Sequence, residues 1–450
     1  MPFDFFPRIV QFFGFSNSST TTSPAPARRA PTPSPTSTHA KKRRFSASEA
    51  QREPGNTGNK NEPRWKRRDE SQRKSSSSSS SSSSRRVAEY ACRDVEVREA
   101  WWQMVGLMHG FAEEYFGFGV VPNNKPCTAF FERFEPETAK IIGCVASGGP
   151  GGEAAWRALF VDEKKRKGLV MAMVGNMLVE HVFKHMFFGG LPEQVKAMSD
   201  LQRTYKDHDG FHRNKEYAAM ALQCTHGQRV PPNFTNHVNC IVGAIHTHLE
   251  PILALDPVAP AREHVIGAIH TMVTHAGLLS LAMRLDPHTV YHLEPVFKED
   301  RFSSKRMECI NQREMEQTNP HTADDTKGLS KQEKRRRATL SDGERKRAKH
   351  DEPLTQMTIL HGVTAYRLGG WEASNSRIQE VKYEKEEHAN QGLRVRKLTK
   401  GLVYCRWGRR RRFQEGKSED MAEVDGEAGK GGFVEFSEVK GVVDWRFHVG

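Results

Sequence analysis

The chain has 450 residues, 36% of them hydrophobic and 27% charged, and a net charge of +13. With a mean hydropathy of −0.68, the sequence cannot fill packed cores along its whole length, nor supply a bundle of membrane spans. The charge is uneven: residues 1–86 hold 17 basic and 6 acidic residues, a net +11, whereas residues 87–302 hold 21 and 25, a net −4. Residues 303–353 (13 against 10) and 354–450 (17 against 14) each carry +3. A folded body that grips a phosphate backbone should itself be basic, so nucleic-acid contact is expected only from the appendages.

The seven cysteines (Cys92, Cys127, Cys144, Cys224, Cys240, Cys309 and Cys405) are odd in number and form no C-x-x-C pair. They predict reduced thiols in a reducing compartment, not a disulfide framework or a zinc ribbon. At the start, MPFDFFPRIVQFFGF lacks a basic n-region and is broken by Pro7, so no secretory signal is expected. Acidic residues are scarce before Glu49 while Ser, Thr and Arg are plentiful. That composition leaves a mitochondrial transit segment as the alternative to a nuclear or cytoplasmic protein.

Residues 16–86 read as a disordered tail, with Pro among Ser and Thr and a run of ten serines from Ser75 to Ser84. It carries two basic clusters, Lys41, Lys42, Arg43 and Arg44, then Arg64–Arg68, and a kinase-type serine, Ser46. Apolar residues at helical spacing begin with Tyr90, Val97, Trp101 and Met104 and end before Gly117, Gly119 and Pro122. Further helices are expected near Thr128–Phe134, after Pro136, over Glu153–Phe160, from an N-cap at Asp162 to Phe188, over Pro192–Tyr205 and over Arg213–Thr225. SGGPGG, Ser147–Gly152, reads as slack between two of them. The longest apolar stretch, Gly168–Phe188, contains Asn176, Glu180, His181, Lys184 and His185, so it predicts a buried core helix and no membrane partner.

GAIHT recurs at Gly243–Thr247 and Gly267–Thr271, and LDP at Leu255–Pro257 and Leu285–Pro287. The unequal steps predict two similar helices in a hairpin, not a tandem repeat. Residues 87–302 therefore read as one helical domain of seven to nine helices, and residues 303–353 as a charged, disordered linker. The last segment changes period. Met357–Leu368, Leu393–Leu398, Gly401–Trp407, Gly432–Val439 and Gly441–Phe447 predict a small antiparallel β-rich domain over 354–450, interrupted by the acidic loop Glu415–Lys430. The expected fold class is mainly α with that small β-rich domain.

Chemistry-bearing motifs are sparse. His181/His185, His208/His212 and His288/His292 have the spacing that places two imidazoles on one helical face, but none has a third ligand at helical spacing. The string DHDGFH (Asp207, His208, Asp209, His212) resembles the His-Asp pattern of the all-helical HD-type phosphohydrolases. The resemblance implies a metal-dependent hydrolase using His208 and Asp209, with His181 and His185 as the other metal candidates. The plainer use of Asp207 and Asp209 is to cap the helix that follows. H-E-x-x-H, G-x-S-x-G and a P-loop are absent from the sequence, and no cofactor or catalytic residue is expected.

Basic clusters are the recurrent theme. Lys334, Arg335, Arg336 and Arg337, then Arg345, Lys346, Arg347 and Lys349, resemble a bipartite nuclear localisation signal, which implies an import receptor as partner and Lys41–Arg44 as a second address. Thr339 and Ser341 are phosphorylation candidates whose phosphates would oppose that positive field. Arg406, Trp407, Arg409, Arg410, Arg411 and Arg412 interleave cations with an aromatic ring. They are the candidate nucleic-acid contacts, set against an edge strand protected by charge. The sequence thus predicts a non-enzymatic, nuclear scaffold or regulatory protein that binds protein partners first and nucleic acid second.

Overall fold

The computed structural model describes residues 94–120, 130–225, 228, 230–258, 260–321, 331–339, 350–368, 393–409, 413–414, 417–418 and 433–439. The tail, Ser46, both of its basic clusters, Ser341, Arg345–Lys349, Arg410–Arg412 and the strand expected at Gly441–Phe447 lie outside the described residues. What is described is mainly helical, with two three-stranded sheets in the C-terminal half.

Helix α1 (Asp94–Phe116) buries Val97, Trp101, Met104, Met108 and Phe111 on one face and stops before Gly117. Helices α2 (Pro136–Val145) and α3 (Gly152–Val161) follow. Helix α4 (Glu163–Leu178) starts at Asp162, whose side chain accepts from the Lys165 amide. Its apolar body is buried on all sides, the mark of a central helix. The helix expected to continue to Phe188 instead becomes a π-turn at Val179–Phe183 and then a bend closed by Gly189 at φ +79°. A π-turn disrupts the regular carbonyl pairing, and side chains from outside occupy the carbonyls here: Ser280 Oγ donates to Val182 (3.1 Å) and Arg284 to Phe183 (3.2 Å).

Helices α5 (Pro192–Thr204) and α6 (Gly210–Cys224) lead to the expected pair, α7 (Phe234–Leu253) and α8 (Arg262–Leu285), which pack on each other. Each stops just before its Leu-Asp-Pro break or at its leucine, because the residue before proline is driven out of helical geometry. Helix α8 is long and apolar enough to cross a membrane by length and composition, but 67% of its most apolar window is buried within the protein.

Strands enter earlier than the sequence pattern predicts. Strand β1 (Thr289–Glu294) lies within the segment expected to be all helical. Strand β2 (Met307–Cys309) and helices α9 (Gln312–Gln317) and α10 (Lys331–Thr339) lie within the expected linker. Strand β3 (Glu352–Leu360) runs into β4 (Gly362–Leu368) with only His361 between, and β5 (Leu393–Thr399) runs into β6 (Gly401–Gly408) with only Lys400 between. The register carries across both joints, since Leu360 faces Leu402 and Val363 faces Thr399. These four strands are one long antiparallel ribbon, bent at His361 and Lys400, with register shifts that mark bulges near the bend. Strand β1 extends one half beside β4, antiparallel, and β2 extends the other half beside β6, parallel. The expected single antiparallel sheet is therefore replaced by a bent ribbon with an extra strand on each half. The two-residue strands β7 (Phe413–Gln414) and β8 (Lys417–Ser418) pair with each other.

The ribbon is not a separate domain. Met357, Ile359, Leu360, Val363, Leu398 and Tyr404 belong to the same buried cluster as the helices. Two helical glycines explain the closeness. A Cβ on Gly175 would stand 2.0 Å from the Ile359 carbonyl oxygen, and one on Gly168 would stand 2.9 Å from the Tyr404 ring. Glycine inside a helix costs about 1 kcal/mol relative to alanine; here it lets α4 and β3 meet almost backbone to backbone.

Buried charge ties the parts together. Arg367 reaches Asp94, the first residue of α1, at 2.9 Å, and its Nε donates to Thr289 Oγ1 at 2.6 Å. Arg394 and Arg396 approach the same Asp94 carboxylate at 2.7 and 3.3 Å. Arg166, fully buried, donates to the carbonyls of Phe116, Phe118, Phe160 and Val161, closing the C-terminal ends of α1 and α3. A cation suits that place, because a helix C-terminus carries partial negative charge.

The stretch GFVEFSEV departs most from its expected strand. Its second half is a one-turn helix, α11 (Phe436–Val439), with Phe436 fully buried. The SGGPGG loop is also more than slack. Ala146 bridges Met357, and the Ser147 amide donates to the Gln356 carbonyl at 2.9 Å.

Candidate functional site

Cations from two basic clusters far apart in sequence, Arg336 in one and Arg406 and Arg409 in the other, act electrostatically on the same carboxyl, that of Asp351. Helix α10 consists of KQEKRRRAT, and its Lys334, Arg335, Arg336, Ala338 and Thr339 are all exposed. Nine residues with no apolar stripe are below the ~12–15 at which an isolated helix is even marginal. The helix can unwind at little cost. Asp351, just before β3, is half-buried, and burial pushes its carboxyl up. Arg409, Arg406, His321 and Arg336 act on it in the opposite direction. His321 Nε2 donates to the Asp351 carbonyl oxygen at 2.7 Å. Asp351 thus responds to both the linker cluster and the C-terminal cluster, of which Arg406 is itself paired with Glu299.

The C-terminal cluster divides. Arg406 is held by Glu299 (2.7 and 2.9 Å), and Trp407 Nε1 donates to the Met315 carbonyl (2.9 Å) while its ring lies against His321 at 5.6 Å. Both side chains are engaged within the fold, and their strand β6 is the central one between β2 and β3, so the protected edge strand expected here is not what the sheet shows. Arg409 is exposed. Of the expected nucleic-acid residues it is the described one that faces solvent. Thr339, the last residue of α10, is exposed, and its hydroxyl donates to the Arg336 carbonyl at 2.8 Å. A phosphate there would sit at a helix C-terminus, where its charge opposes the macrodipole and favours melting that turn.

The metal candidates do not come together. His181 lies in the π-turn and His185 just beyond it, so they do not share an α-helical face. The His185 ring instead meets His237 at 5.0 Å, and His237 Nδ1 accepts from the Gly189 amide at 3.0 Å. Burial holds both imidazoles below the usual histidine range. His208 stacks near His212 (5.4 Å), and Asp209 Oδ1 accepts from the Phe211 and His212 amides as the N-cap of α6. Among the described residues, no three His, Cys, Asp or Glu side chains are placed to hold a metal ion. A half-open cavity of about 330 Å3 does lie where the π-turn meets α8 and β1, with Lys184, Arg284, Tyr291 and His292 in its wall.

Sequence reasoning missed Asp351, His321 and Glu299, each set among other polar residues in no recognisable motif, so that their partners are seen only once the strands are paired. Compared with known proteins, the chain matches no family model, no curated protein and no solved structure.

Proposed function

We propose that this chain is a non-enzymatic nuclear scaffold, imported through its paired basic clusters and acting by binding protein partners. One observation carries the reading: Lys334, Arg335 and Arg336 are exposed to solvent on a short helix whose sequence has no apolar stripe. A receptor groove lined by acids needs an accessible run of cations, and it captures two linked runs far better than either alone. A second reading, contact with a phosphate backbone, is favoured by the exposure of Arg336 and Arg409, which both act electrostatically on Asp351. A phosphate backbone is bound by cations gathered on one face.

The test uses the full chain with a fluorescent tag. Replacing Arg335, Arg336, Arg345 and Arg347 by Ala, together with Lys41, Lys42, Arg43 and Arg44 by Ala, should move the protein to the cytoplasm without changing its melting temperature. Thr339→Glu in the otherwise native chain should do so more weakly. Continued nuclear accumulation of the eightfold variant would remove these clusters from any role in import.

A further inference from the structure

Residues 433–439 reach the rest of the molecule unlike any other described segment. Phe436 is fully buried in a nest of four rings, with centroids at 5.0 Å (Trp156), 5.6 Å (Phe131), 5.9 Å (Phe134) and 6.0 Å (Phe160). One place before it, Glu435 pairs with Lys298 at 2.9 Å. Two places before it, the Val434 carbonyl accepts from Trp156 Nε1 at 2.8 Å. Three places before it, the Phe433 ring lies 5.8 Å from the Arg406 guanidinium. Glu438 folds back to accept from the Glu435 amide at 2.8 Å and closes the single helical turn. Among the described residues, no backbone–backbone hydrogen bond joins 433–439 to another element.

The rings of the nest also meet one another. Phe134 and Phe160 stand 5.0 Å apart and Phe131 and Phe160 6.3 Å apart, across the chain turn before α2 and the end of α3. The indole of Trp156 is backed by main chain, since a Cβ on Gly148 would lie 2.7 Å from its ring. Gly149, at φ +79°, holds that backing in a left-handed conformation that suits glycine. Lys298 is tied to the Gly143 carbonyl as well as to Glu435. An aromatic pocket with a cation at its edge, filled by one aromatic anchor, has the design of a peptide-docking site.

We propose that the Phe131/Phe134/Trp156/Phe160 nest is a peptide-docking site, that residues 433–439 occupy it in cis, and that a partner segment of the same chemistry displaces them. That segment carries a phenylalanine anchor with a glutamate immediately before it, matched to the ring nest and to Lys298. The proposal rests on the reading of the chain as a binding protein. Localisation tests the import clusters and not this groove, so either can fail without the other.

The probe is a fluorescein-labelled synthetic peptide of residues 431–440, followed by anisotropy against the full chain. A cis segment competes at an effective concentration of about millimolar, so the wild-type chain should bind the peptide at least about tenfold more weakly than the Phe436→Ala chain, whose nest is vacated. The peptide with Phe436→Ala should bind neither. Since emptying an aromatic nest can unfold the body, a second chain carries Glu435→Lys, which keeps Phe436 but opposes Lys298. It should bind the native peptide more tightly than wild type does. Absence of binding by every chain that remains folded by circular dichroism, or equal binding by wild type and the variants, overturns the proposal. So does a wild-type dimer that the peptide dissociates, because the occupant would then be a second copy.

Discussion

Helices α4 and α10 both carry a four-residue basic run, Lys164–Lys167 in one and Lys334–Arg337 in the other, and Arg166 of the first and Arg336 of the second have opposite fates. In α4, Arg166 is fully buried against four carbonyls, and Lys167 pairs with Glu113 (2.8 Å) and Glu163 (2.9 Å). In α10, Lys334, Arg335 and Arg336 face solvent. The difference lies in what surrounds each run. GLVMAMV follows the first and draws Arg166 into the core, where two helix C-termini need a cation; ATLSDG follows the second and has no comparable apolar run. A basic run is an address only when no folded carbonyls claim it.

The strongest way to break that comparison is Arg166→Ala. It leaves the C-terminal carbonyls of α1 and α3 without their donor, and stability should fall by about 3–5 kcal/mol, read as a lower denaturant midpoint. Arg335→Ala should stay within about 0.5 kcal/mol of wild type. Equal losses would erase the distinction between the two runs.

A smaller effect sharpens the claim that α4 is the centre of the fold. Gly175→Ala places a methyl group against the Ile359 carbonyl, so α4 and β3 must part, at a cost of about 1–3 kcal/mol. Gly110, in α1, has open space around its missing Cβ. There the same substitution should stabilise by about 0.4–1 kcal/mol. Thermal melts of the two variants should move in opposite directions.

The smallest expected effect is the response to acid. Burial holds His185, His237, His248, His275 and His361 below the usual histidine range. A depressed folded-state pKa means that the unfolded chain takes up the proton first. The stability these groups contribute is complete above about pH 6.5, their unfolded value, and declines as pH falls through the lower folded values. Melting temperature should be flat from pH 8 to about 7 and decline below. His275→Gln, which can still donate to the Ala100 carbonyl that His275 now meets at 2.8 Å, should flatten part of that slope.

Much of the helical body is legible locally. Val97, Trp101, Met104, Met108 and Phe111 fall on the buried side of α1 as their spacing requires, Asp162 caps α4, Asp209 caps α6, and two Asp-Pro steps end α7 and α8. The ribbon is less legible. Short apolar runs announce strands, yet the continuity of β3 with β4 and of β5 with β6 depends on register across the bend, which no single run encodes. The alternation in FVEFSEV predicts a strand, but the ring nest and the Glu438 cap make its end helical. At the candidate site, the exposed cations of α10 are readable from composition, whereas the pull that Arg336 and Arg409 both exert on Asp351 is not.

By itself the sequence determined most helices of the body and their caps, several stretches with the strand period, and where charge without apolar partners gathers. These are properties of neighbours within a turn or two, set by spacing, caps and breakers. Only the tertiary structure decided that helices and ribbon share one core, that Arg166 is buried while Arg336 is exposed, and that Phe436 fills a pocket built almost 300 residues earlier. Those outcomes depend on which surfaces meet. That is governed by close approach at glycines, by pairing register and by carbonyls left open at helix ends, none of which a local pattern records.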